Sequence, residues 1–423
     1  MESNSVSHLK KTWKVGRVYQ LLCLSVLCVA MGCADEVSVP EYIVSPHTEQ
    51  TIEFFNRGRL LAHHTRLETV QMGAETHVLK HQTQPIHINP QHYTLESVPE
   101  KLAPGIVFGS LLIDSNGQSD PVVLEKILGA FGTINACILE LSSLVFGAMG
   151  VNENIAHRDI QGLDLSPLED APTSAPKPIC VLNISNLMIF NTPKSTIKWF
   201  LDRVDLTGSR IELVLSCKAD FGNLEVLDGF DAAGIKWLGL YDIDNLGSLD
   251  CKLLQEGPFP DVLDLDSRSG KTPKMSEQII RNIVGNHWKG LVVPMKMWEE
   301  LMEPSEQPIQ LAADSLTIFL GCESHIPTLR KGQATVNYLS IKFHDTKQTV
   351  THQEISAVVE WASRSFGGLR IVNVETKPGA IDKTDNQFEL TTTHTTVIVK
   401  VNGAVVQFCE HIHPGPDHFR IVG

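Results

Sequence analysis

At 423 residues, with 42% apolar and 20% charged side chains, the chain suffices for two or three ordinary domains or one extended repeat array, and its composition excludes long-range disorder. The formal net charge of −14 opposes phosphate backbones and anionic lipid surfaces, which argues against nucleic acid as a partner. Nine cysteines, with no Cys-x-x-Cys pair, are too sparse for a disulfide scaffold and support neither a zinc ribbon nor a thioredoxin-type centre.

The chain starts with Lys10, Lys11, Lys14 and Arg17, then an apolar run from Val18 to Met31, then Gly32-Cys33-Ala34. That order of basic, apolar and small residues predicts a secretory signal peptide over 1–34, cut before Cys33 or after Ala34. The alternative, a membrane anchor, needs about 18 to 20 apolar residues, and this run is shorter. No later stretch approaches spanning length, so no integral span is expected once the signal is removed. Ala30-Met31-Gly32-Cys33 partly resembles a lipobox, which makes Cys33 a candidate lipid anchor. The expected location is outside the cell or on its surface.

Residues 35–105 are polar and rich in His and Pro and read as an N-terminal cap or leader region, with one predicted helix near Glu49 to Met72. His63-His64 within it reads as a solvated helix face, since no ligand-spaced Cys or acid accompanies it. From 106 to 375 a short apolar-x-apolar signal recurs: Leu111-x-Ile113, Leu139-x-Leu141, Leu182-x-Ile184, Leu213-x-Leu215, Leu238-x-Leu240, Leu263-x-Leu265, Leu291-x-Val293, Leu316-x-Ile318, Leu339-x-Ile341 and Leu369-x-Ile371. Most intervals fall in the twenties, the mark of a repeat array. Strand alternation turns each apolar pair inward and leaves an outward ladder of Glu140, Asn183, Val214, Gly239, Asp264, Val292, Thr317, Ser340 and Arg370.

Between these strands, apolar residues at helical spacing predict amphipathic helices over Asp120–Thr133, Pro193–Asp205, Ser276–Trp288 and Thr351–Phe366. The long gap before Leu182 holds a Pro-rich insertion at 164–178, read as a surface loop. In the last region, 376–423, Asn402-Gly403 between two Val-rich runs predicts a β-hairpin that caps the array.

The Leu-x-Leu cores, and the match of Leu139-Glu-Leu-Ser-Ser-Leu144 with Leu182-Asn-Ile-Ser-Asn-Leu187, resemble leucine-rich repeats, similar to exported repeat families of intracellular parasites such as microsporidia. The resemblance implies an α/β solenoid of about ten strand-helix units, with Cys137 and Cys180 stacked as core fillers. The Asn or Cys that closes each repeat in that family is largely missing, with a hint at Asp242 to Leu246. A closed βα barrel or a doubly wound sheet fits the same alternation of strand and helix.

Two motifs suggest chemistry. Leu265-Asp-Ser-Arg-Ser-Gly270-Lys271-Thr272 follows a strand as a phosphate-binding loop would, but it lacks the leading Gly and has Pro273 where a helix should start, so it reads as an exposed turn. Cys409, His411 and His413 alternate as weak candidate metal ligands, with no second cluster to complete a site. Asn183-Ile-Ser185 is a glycosylation sequon within a predicted strand. No metalloprotease helix, nucleophile elbow or dinucleotide fingerprint occurs, and no cofactor is implied. The function expected is therefore non-catalytic: binding of a protein or glycan through outward residues, with Glu140, Asn183, Tyr241, Asp264 and Asp266 as the binding candidates. The competing expectation is an exported α/β hydrolase using strand-end carboxylates such as Asp242 and Asp244.

Overall fold

The computed structural model describes residues 41–57, 66–115, 117–146, 178–217, 221–230, 234–267, 271–302, 311–321, 334–343, 349–377, 389–392, 398–401, 404–405 and 417–420. The predicted signal peptide with Cys33, residues 164–177 of the Pro-rich insertion, and Cys409, His411 and His413 lie outside the described residues. The chain divides into two units, Met1–Glu41 and Tyr42–Gly423, and the described strands and helices belong to the second.

Helix α1 (Thr48–Arg57) buries Phe54 and Phe55, and Phe54 stacks on Tyr93 at 4.6 Å between ring centroids. The helix is shorter than predicted, because Thr69–Met72 forms a strand that pairs antiparallel with Glu75–Leu79. His63 and His64 lie outside the described residues.

A 16-stranded sheet dominates the unit. Its main strands are β1 (Val107–Asp114), β2 (Thr133–Ser142), β3 (Cys180–Phe190), β4 (Arg210–Ser216), β5 (Gly234–Tyr241), β6 (Val262–Leu265), β7 (His287–Pro294), β8 (Leu311–Leu320), β9 (Ala334–Phe343), β10 (Ile371–Glu375) and β11 (Ile398–Val401). Each pairs parallel with the next in chain order. Among the described residues the sheet is open, with His81–Gln82 at one end and Ala404–Val405 at the other. A closed barrel is thereby excluded. Because strand order never reverses, there is no switch point of the kind a doubly wound sheet has.

Parallel pairing in chain order requires a crossover after each strand, and right-handed crossovers place the returning segments on one face. The chain between strands supplies α2 (Pro121–Phe131), α3 (Lys194–Leu201), α4 (Lys252–Glu256), α5 (Glu277–Gly285), α6 (Met295–Leu301) and α7 (His352–Ser365). The four predicted amphipathic helices are present as α2, α3, α5 and α7. Asp120 caps α2, Ser276 caps α5, and Thr351 with Glu354 forms a capping box on α7. Buried residues of all six helices join the inward strand residues in one apolar cluster. Ile138 and Met188 are buried yet stand outside it, on the other face.

Two inward rows run along the sheet. One passes Ile86, Leu111, Leu139, Leu187, Leu213, Leu238, Leu263, Leu291, Leu316, Leu339 and Val372, all fully buried. The neighbouring outward row is Leu112, Glu140, Met188, Val214, Gly239, Asp264, Val292, Thr317, Ser340, Asn373 and Lys400. It agrees with the predicted ladder except in two strands. Met188 stands where Asn183 was expected, and Asn373 stands where Arg370 was expected.

Register accounts for the first difference, since Leu182 pairs with Ile134 and Leu187 pairs with Leu139. In β1, β2 and β3 the ladder skips Gly109, Cys137 and Ser185, and in β7, β8 and β9 it skips Lys289, Asp314 and Asn337. Both partners skip one residue, so the register is kept across each gap while the alternation of buried residues changes phase, and a long strand carries one inward pair before the bend and another after it. In β3 these pairs are Leu182/Ile184 and Leu187/Ile189, and the second lies beside Leu139/Leu141. Cys180 is consequently buried at the start of β3, whereas Cys137 is exposed at the bend, and the two are not stacked.

At the C-terminal end, β11 and Ala404–Val405 form the predicted hairpin, with Val401 opposite Ala404 across Asn402-Gly403. The hairpin's first strand also pairs parallel with β10, so the sheet continues beyond Glu375. At the other end Ile86–Ile88 pairs parallel with β1, and the sheet therefore begins before residue 106.

Candidate functional site

The outward face carries the sequence-predicted binding residues, and the register decides which of them meet. Tyr241 ends β5 and Asp264 lies on the adjacent β6, one rung nearer the bend. The Asp266 amide donates to the Leu240 carbonyl at 2.8 Å, which sets Asp266 beside Tyr241. Tyr241, Asp264 and Asp266 thus form one group. Glu140 sits on β2, with β3 and β4 between it and Tyr241, and is only 8% exposed. Asn183 belongs to the half of β3 before the bend, pairs with Asn135, and donates its amide to Asn135 Oδ1 at 2.9 Å.

The group owes its form to Gly239. A Cβ there would lie 3.3 Å from Tyr241 Cε2 and 3.5 Å from Val214 Cγ2, so the Tyr241 ring leans over a position with no side chain. Its hydroxyl hydrogen-bonds the Asp264 carboxyl. Burial, with the Asp266 charge second, pushes the Asp264 carboxyl up to about 7, against a smaller opposing pull from Lys342 and the Tyr241 hydrogen bond. Burial likewise raises the Tyr241 phenol, reinforced by the charges of Asp264 and Asp266. Asp264 therefore changes protonation near neutral pH.

A second polar group stands on the same face over β9 and β10. Glu375 accepts from Ser340 Oγ at 3.0 Å and from Asn373 Nδ2 at 2.8 Å, and pairs with Lys342 at 3.2 Å. The Lys342 ammonium also lies 5.8 Å from the Phe319 ring centre. Asn373 is 5% exposed, and its Oδ1 has no hydrogen-bond partner. Trp237 Nε1 on β5 is buried without a partner as well. Sequence reasoning missed Asn373 because it took Leu369-x-Ile371 as the inward pair. Val372-x-Val374 is the pair that faces Leu339 and Ile341, and its middle residue is Asn373.

The strand-end acids expected of a hydrolase are engaged in turn closure. Ser216 Oγ donates to Asp242 Oδ2 at 2.9 Å, the Ser267 hydroxyl donates to Asp244, and Asn245 Nδ2 donates to the Cys217 carbonyl at 2.9 Å. Asp242 also has the left-handed backbone, φ 57°, that sharpens this turn. Thr272 donates to Glu300 at 2.7 Å, and the next helix starts only at Glu277, so no helix N-terminus follows Lys271 to cradle a phosphate. Burial pushes the Cys180 and Cys217 thiols up to about 12 and Cys251 up to about 11, which leaves them protonated and unreactive.

Among the described residues no cluster of three or more His, Cys, Asp or Glu is placed to hold a metal, and no helix is long and apolar enough to cross a membrane. Fold and site together define an α/β protein with an open, mostly parallel sheet, helices on one face and a mixed polar and aromatic face opposite. Comparison with protein-family models, curated proteins and solved structures finds no match to this chain.

Proposed function

We propose that the chain is an exported, leucine-rich-repeat-like solenoid that binds a macromolecular partner without catalysis, through the outward face of its strands. The observation that carries this reading is the division of labour across the sheet. The helices join the apolar cluster on one face, while the opposite face aligns Tyr241, Asp264, Asp266, Lys342, Asn373 and Glu375 in rungs that need no part in that cluster. Outward rungs on a stacked sheet vary without disturbing the core, which suits recognition.

Two measurements test it. A partner recovered on the wild-type protein should be lost from a variant carrying Tyr241→Ala, Asp264→Lys and Asp266→Lys and kept by Arg281→Ala, whose site lies exposed on α5. Equal capture by both variants would remove the outward face as the binding surface. Export is checked by sequencing the N-terminus of secreted protein, expected at Cys33 or Asp35. A chain that stays in the cell with residues 1–34 attached would count against it.

A further inference from the structure

Resting on the reading of the outward face as a binding surface, we infer that its occupant is a neutral linear glycan lying across β5 to β10, perpendicular to the strands. Adjacent strands stand about 4.8 Å apart. That step is close to the length of one pyranose ring, so successive sugars meet successive rungs. From Trp237 on β5 to Asn373 on β10 there are five such steps, about 24 Å, which accommodates about five rings.

The hydrogen-bonding groups left over on this face agree on the chemistry. Trp237 Nε1 is an orphaned donor and Asn373 Oδ1 an orphaned acceptor, both buried. Leaving such groups unmet costs free energy that a ligand recovers. A hydroxyl serves either one, whereas a lysine or arginine side chain donates only and leaves the indole N–H unmet. Trp237, Tyr241 and Tyr338 add aromatic surface at partly exposed rungs, suited to the apolar faces of sugar rings. Asp264 and Asp266 oppose an anionic polymer.

The test is calorimetric titration of the full secreted protein with neutral hexasaccharides (cello-, chito-, xylo-, manno-, malto- and laminarihexaose), with hexalysine as a separate arm. At least one hexasaccharide should bind with Kd below about 1 mM. Trp237→Ala should weaken it about tenfold, and Trp237→Phe, which keeps a ring but loses the donor, about threefold. Circular dichroism confirms that both variants fold, and Arg281→Ala should bind as wild type. Failure of every hexasaccharide, or binding indifferent to Trp237, overturns the glycan. If hexalysine alone binds, or if partner capture still depends on Tyr241, Asp264 and Asp266, the binding-face reading survives that failure. Capture indifferent to those three residues removes both.

Discussion

Asp264 is the residue whose surroundings depart furthest from what its position in a Leu-x-Leu motif suggests. Its carboxyl, ordinarily 3.8, is pushed up to about 7, so the folded protein holds this proton more tightly than the unfolded chain does. A raised carboxylate pKa makes the native state take up a proton between those two values. The contribution of this group to stability is therefore fully present below about pH 4, falls as pH rises toward 7, and is lost above that. Asp264→Asn should stabilise the protein at pH 8 by an amount on the order of 3 kcal/mol and change nothing at pH 4, measured by urea unfolding. An equal gain at both pH values would show that the proton is not responsible. At Gly239 the constraint is space. Gly239→Val should displace the Tyr241 ring and cost about 1 to 3 kcal/mol, read as a lower urea midpoint with altered tyrosine fluorescence.

Among the elements, α7 shows how much a short motif reports locally. The Thr351 amide donates to Glu354 Oε2 at 2.8 Å and the Glu354 amide donates to Thr351 Oγ1 at 3.2 Å, a reciprocal cap that the sequence announces directly. Thr351→Ala should cost about 1 kcal/mol, seen as a lower urea midpoint, and an unchanged midpoint would mean the cap is redundant in this fold. The strands were legible as strands but not in their register. Leu182/Ile184 and Leu187/Ile189 are both inward pairs, and only the register between the strands determines that the second lies in line with Leu139/Leu141. Nothing local distinguishes them, because register is a relation between neighbouring strands. The same cause moved the expected rung from Asn183 to Met188 and separated Cys137 from Cys180.

For the whole molecule, pairing in chain order makes most strand contacts nearest-neighbour contacts. Structures built this way pass a perturbation mainly to adjacent units. Leu316→Ala removes a fully buried side chain from the inward row and should cost about 2 to 5 kcal/mol. Hydrogen exchange by mass spectrometry should then show faster exchange in β7, β8 and β9 and little change in β1 and β2. Uniform acceleration across the sheet would instead mean that the unit opens as a single cooperative block. The solenoid reading also predicts a radius of gyration above the roughly 21 to 22 Å of a compact domain of this length, by small-angle X-ray scattering of residues 35–423.

Taken alone, the sequence determined the strand-helix alternation, most of the inward leucine pairs, the four main amphipathic helices, and the C-terminal hairpin. Each rests on periodicity or turn chemistry contained within a few residues. Tertiary structure decided that the sheet stays open, that β11 continues it past Glu375, and that Asn373 rather than Arg370 completes the outward row. It also brought Tyr241, Asp264 and Asp266 together while leaving Glu140 and Asn183 elsewhere on the sheet. The physical reason is that register and closure are relations between strands tens of residues apart, set by how their side chains pack.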